Sequence, residues 1–144
     1  MKRLVCVASV LALLAAVALA MSPSIAQAKK DLSAKDIMVK AHKGNSSLLT
    51  MVRMELREDD PEWGEIQKNT KELVVLGGAL GKTTPPKGDK QSWSRLTQQY
   101  LAGVKALDAA AQRKDKSAAQ EAQKRLMSSC SACHKAHRTD DDDD

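Results

Sequence analysis

The chain has 144 residues, with 23 Lys and Arg against 18 Asp and Glu, 42% hydrophobic residues, three Cys, two Trp, one Tyr and no Phe. This length holds one domain at most. With so few aromatics, no basic stripe is interleaved with stacking rings, which argues against a nucleic-acid surface.

Residues 4–20, LVCVASVLALLAAVALA, follow Lys2 and Arg3 and precede Ala26-Gln27-Ala28. A basic start, an apolar run and a small-x-small site predict a secretory signal over 1–28, cleaved before Lys29. The run is short and Ala-rich for a membrane span. Cys6 stands ahead of most of it, whereas a lipidated Cys should follow it, so no stable membrane anchor is expected. Without Lys2 and Arg3 the 23 basic residues become 21, against the same 18 acids, a net charge of about +3. Five of those acids form the terminal run Asp140 to Asp144, expected to be a disordered tail, and the domain over 29–139 then carries about +8. Such a domain prefers acidic partner proteins.

No part of this domain alternates apolar and polar residues long enough for a sheet. Ser33 and Asp36 form a capping-box pattern. Behind them Ile37, Ala41, Leu48, Val52 and Leu56 share one helical face, predicting a first helix over about 34–57 that contains Gly44 and Asn45. Asp59-Asp60-Pro61 reads as the start of a second helix, with Trp63, Ile66, Thr70, Leu73 and Leu76 on its stripe and Gly77-Gly78 with Gly81 at its end. Residues 82–91 read as a loop. A third helix runs from about Ser92 through Trp93, Leu96, Tyr100, Val104, Leu107 and Ala111. After a turn at Gln112–Lys114, Asp115 caps a fourth, carrying Ala118, Ala122, Leu126, Cys130 and Cys133. The fold expected is all-α, an antiparallel up-down-up-down four-helix bundle. Its core is built from Leu, Val, Ala and Met, or completed by something outside the sequence such as a large flat cofactor.

Residues 130–134 read Cys-Ser-Ala-Cys-His, the attachment pattern of c-type haem. Two thiols three residues apart reach two vinyl groups on one porphyrin edge, and the next residue offers an imidazole to the iron. Cys130 and Cys133 are thus the attachment residues and His134 the axial ligand of one covalent haem c per chain. A zinc site from Cys130, Cys133, His134 and His137 would need four ligands along one helical stripe, whereas tetrahedral sites draw on converging elements. A thioredoxin-like pair belongs at a helix N-terminus, and this one lies near a C-terminus. A structural disulfide remains open, since export permits one. No nucleophile, base and orienting group assemble from three His and these Cys, so no enzyme is expected.

An exported domain of four helices, with Cys130-Ser131-Ala132-Cys133-His134-Lys135-Ala136-His137-Arg138 near its end, resembles the cytochrome c′ family, the class II c-type cytochromes. Ile66, Asn69 and Leu73 and the Pro-rich loop before Trp93 add to the resemblance, which covers about residues 34–138. His137 stands where that family has an aromatic. Arg138 matches the family's Arg near a haem propionate, with a solvated surface Arg as the alternative. The resemblance implies a periplasmic electron carrier, often a homodimer through helices one and two.

In that family the residue on helix one facing the iron decides its coordination. Matching Ile66, Asn69 and Leu73 without gaps puts Ala41 there, and a slip of one residue puts His42 there. His42 and, one turn earlier, Met38 are therefore the candidate sixth ligands. An apolar face formed by Ala41 with Leu48 or Leu49 would instead leave an open iron that binds small gases such as nitric oxide or carbon monoxide. A non-haem zinc or disulfide protein is the remaining alternative.

Overall fold

A computed structural model describes residues 32–139 of the chain. The expected signal segment and the Asp140–Asp144 tail lie outside the described residues. Among them the structure is all-helical, with no strand: α1 is Ala34–His42, α2 Leu48–Glu55, α3 Trp63–Leu80, α4 Lys90–Gln112 and α5 Lys116–His137.

Five helices stand where four were expected, because the predicted first helix is broken. Gly44 has φ +85°, a left-handed conformation that the α-helix does not contain and that glycine adopts without Cβ strain. The chain restarts at Ser47, whose hydroxyl donates to Gly44 O at 2.9 Å and lies 2.9 Å from Thr50 Oγ1. The apolar face survives the break, with Ile37, Ala41, Leu48, Val52 and Leu56 all buried.

The other boundaries follow from capping. The predicted capping box closes at α1: Ser33 N–H donates to Asp36 Oδ2 and Asp36 N–H to Ser33 Oγ. The Ser33 hydroxyl, which donates to Asp36 Oδ2, and then the Ser33 N–H hold the Asp36 carboxyl below its ordinary pKa. Asp59-Asp60-Pro61 precedes α3 without capping it, and Glu62 is the N-cap residue. Gly77 does not end α3 but lies inside it, where an added Cβ would come 3.1 Å from Val104 and 3.2 Å from Tyr100. A small residue there lets α3 and α4 approach. Asp89 caps α4 by accepting from Ser92 N–H at 2.7 Å, and Asp115 caps α5 by accepting from Ala118 N–H at 2.9 Å.

α4 packs against both α3 and α5, and α3 also carries α1 and α2. The dry core lies where these faces meet: Ile37, Val52, Ile66, Leu73, Val104, Leu107, Ala111 and Ala119 are each 0% exposed. Polar bonds fix the register around it. Lys40 Nζ donates to Glu72 Oε1 at 2.9 Å between α1 and α3, Thr70 Oγ1 to Asp108 Oδ1 at 2.7 Å between α3 and α4, and Gln120 Nε2 to Leu56 O at 2.7 Å between α5 and the end of α2.

No described helix is long and apolar enough to cross a membrane.

Candidate functional site

The Cys-x-x-Cys-His segment occupies the last two turns of α5, where 3.6-residue periodicity puts positions 130, 133, 134 and 137 along one face. Beside it opens a cavity of about 710 Å³, within the range that holds organic ligands. Cys130, Cys133 and His134 line it, together with Met38 and His42 of α1, Leu49 and Arg53 of α2, and Trp93, Leu96 and Tyr100 of α4. The structure therefore brings both predicted attachment residues, the predicted axial ligand and both candidate sixth ligands to one space.

Cys130 and Cys133 are half-buried free thiols. Burial raises the pKa of both, and for Cys133 the neighbouring Cys130 adds to the rise. They are protonated thiols at neutral pH. Cys130 Sγ–H also points back along its helix, 3.6 Å from Leu126 O.

The two candidates for the position facing His134 separate cleanly. Ala41 is fully buried in the dry core, whereas His42, the last residue of α1, lines the cavity. The break at Gly44 directly after it frees the chain to turn away while the imidazole stays inside. His42 Nε2 lies 2.9 Å from Tyr100 Oη, and the rings meet edge to face with centroids 5.5 Å apart. Burial, and then the charge of His134, lowers the His42 pKa to about 4, so the ring is neutral at pH 7. Burial, and then Cys130, raises that of Tyr100. The phenol keeps its proton.

His137, where the sequence offers His for an aromatic, keeps the edge-on ring contact of an aromatic and adds hydrogen bonds. It is 2% exposed, with its ring against Trp93 at 5.1 Å between centroids. Its Nδ1–H donates to Lys87 O at 2.8 Å, so in the neutral ring Nε2 accepts from Ser92 Oγ–H at 2.7 Å. One nitrogen is thus committed to the loop before α4 and the other to the first turn of α4 itself. Among the described residues no group of three or more His, Cys, Asp or Glu is placed to hold a metal ion. Gly88, at φ +80°, lets this loop come so close that an added Cβ would lie 2.7 Å from Ala136 O. Trp93 Nε1–H ties the same loop by donating to Thr83 O at 2.9 Å.

Arg138 follows the helix, its N–H donating to His134 O at 2.9 Å, and its exposed side chain lines the cavity. Lys35, Lys43 and Arg53 also line this space, and among the described residues no Asp or Glu does. The site is electropositive, suited to a ligand that carries carboxylates.

Sequence reasoning placed Tyr100 only on an apolar stripe and did not single out Arg53 or Gln123. A usable signal existed for Tyr100: the one tyrosine of a Phe-free chain, on a buried stripe, carries a hydroxyl that needs a partner. The chain matches no protein-family model, no curated protein and no solved structure.

Proposed function

We propose that the protein is an exported monohaem cytochrome that transfers single electrons, with the haem attached through Cys130 and Cys133 and ligated by His134. The observation that carries this reading is the convergence of Cys130, Cys133 and His134 on one large cavity, without acidic residues among the described ones that line it, faced by His42. The residues present fit the group: two free thiols three residues apart, an adjacent imidazole, apolar walls from Leu49, Leu96 and Trp93, and cations for two carboxylates. The bundle reading belongs with it. The three-residue turn between α4 and α5 makes those helices antiparallel neighbours, and α1 with α2 form one broken limb of an up-down-up-down four-helix bundle.

The bound haem would supply the one-electron ferric–ferrous couple. Cys130 and Cys133 would hold the group covalently as thioethers, and His134 would offer its imidazole to the iron. The His137 bonds to Lys87 and Ser92 fix the turn that carries His134, and thereby that ligand's direction. Leu49, Leu96 and Trp93 would exclude water, and Arg138 with Lys35 and Lys43 would offset the charge of the carboxylates the group carries. The basic domain docks acidic redox partners, in keeping with a periplasmic or otherwise exported location, and no catalytic group is assigned.

The His42–Tyr100 hydrogen bond favours a second reading, capture of a small gas at an open iron. A ring nitrogen held by a phenol is not offered to a metal. Oxidised and reduced visible spectra test both readings. Sharp α and β bands after reduction, lost in His42→Ala, mean that His42 leaves Tyr100 to ligate, whereas loss in Met38→Ala assigns the thioether. A high-spin spectrum unaffected by either substitution means gas binding. A wild type without a Soret band, equal in thermal stability to Cys130→Ala/Cys133→Ala, ends the haem reading.

A further inference from the structure

Behind the large cavity, between α2 and α5, lies a second of about 360 Å³ whose walls include Leu56, Arg57 and Lys124. Arg53, Gln123 and Met127 line both spaces, so these side chains form the partition between them.

Two donors in that partition have no acceptor. Arg53 Nε and Gln123 Nε2 are buried, and neither makes a hydrogen bond. Gln123 is 6% exposed. A buried N–H without a partner carries an uncompensated desolvation penalty, and folded proteins retain few of them. The surrounding charge says what the missing partner is. Arg53, Arg57 and Lys124 line the second cavity with no Asp or Glu among them. The partner is an acceptor, and the positive walls favour one that carries negative charge.

We propose that Arg53 and Gln123 form an oxyanion subsite at the junction of the two cavities, their Nε–H and Nε2–H donating to one carboxylate or phosphate group. Arg57 and Lys124 supply the surrounding positive potential. The group arrives either as a free small anion or as the carboxylate of a larger molecule seated in the main cavity. The subsite rests on the two orphaned donors and stands whether or not a haem is attached.

Calorimetric titration of the full chain with inorganic phosphate, at low ionic strength and without other oxyanions, tests it. Wild type is compared with Cys130→Ala/Cys133→Ala, which attaches no cofactor. One phosphate per chain in both forms identifies a free anion, and binding to the double variant alone identifies a carboxylate borne by the attached molecule. In the form that binds, Arg53→Gln weakens phosphate by about tenfold or more, the loss of a charged donor. Gln123→Leu, an apolar residue of similar size, raises the melting temperature in anion-free buffer and removes the further rise that phosphate produces. No binding in either form, binding to wild type alone, or binding indifferent to Arg53→Gln overturns the proposal. So does a Gln123→Leu chain that melts lower without phosphate, because the amide then already has a partner. A wild type lacking visible absorption ends the haem reading and leaves the phosphate result to decide this one.

Discussion

The two regions of this molecule are packed on opposite principles. Around Ile66, Leu73, Leu107, Ala111 and Ala119, each 0% exposed, mainly aliphatic side chains close the space between helices, with Trp93 buried in the same cluster and Trp63 and Tyr100 packed against it. Beside the last turns of α5 the helices stay apart, and the walls carry all three histidines, both described cysteines, the one tyrosine and several cations. A chain with no Phe can fill a core with Leu and Ala where helices touch, as Gly77 lets α3 and α4 do. It has no large side chains to fill a gap of cofactor size. The aromatic-poor composition is thus compatible with a stable fold in one region and with a ligand cavity in the other.

Truncation should separate the regions most sharply. Leu107→Ala, in the sealed core, should cost about 3 kcal/mol through lost burial and the void left behind, measured by urea denaturation. Met127→Ala, 46% exposed on the cavity wall, should cost less than about 1 kcal/mol. Equal losses would mean that both regions are sealed alike.

Acid should act on the cavity and spare the core. His42 has a folded pKa of about 4 against an ordinary value of 6.5. Below 6.5 the unfolded chain takes up a proton that the folded chain refuses. His42's neutral burial is fully compatible with stability above pH 6.5, and stability falls as pH drops from 6.5 to about 4. The predicted loss is about 2–3 kcal/mol over that window. It should be read by denaturation of Cys130→Ala/Cys133→Ala, where no attached cofactor competes for the ring, and His42→Leu should abolish the slope.

A smaller effect belongs to the loop that holds the site's edge. Gly88→Ala places a Cβ at a left-handed backbone and against Ala136 O, and should lower stability by about 2 kcal/mol in a thermal melt. A compensating substitution elsewhere in the core should not restore it.

What the sequence disclosed was local. The Ser33–Asp36 box, the Asp115 cap and the stripe from Trp93 to Ala111 depend on residues within a few positions of one another, and each forms as its spacing implies. Cys130, Cys133 and His134 stood out in the sequence because the pattern they form is local, and the structure places all three beside one cavity. The break at Gly44 was hidden because the apolar face resumes in phase after it. The partners of His42 and His137 were hidden for another reason: Tyr100 is 58 positions away, and Ser92 and Lys87 are 45 and 50 away. Arg53 and Gln123 showed only as polar helix residues, since a missing acceptor is a property of three-dimensional surroundings.

The bonds from His137 to the loop also change how the end of α5 breathes. A terminal helical turn ordinarily opens at almost no free-energy cost, and its amides exchange with solvent freely. Here that turn opens only if the His137 ring leaves Trp93 and gives up Lys87 and Ser92 together, an opening that tears away the loop before α4 as well. The amides of the residues that carry His134 and Arg138 are thereby coupled to a segment 45 to 50 positions away, so a histidine set three residues from a helix end is held with the persistence of the interior.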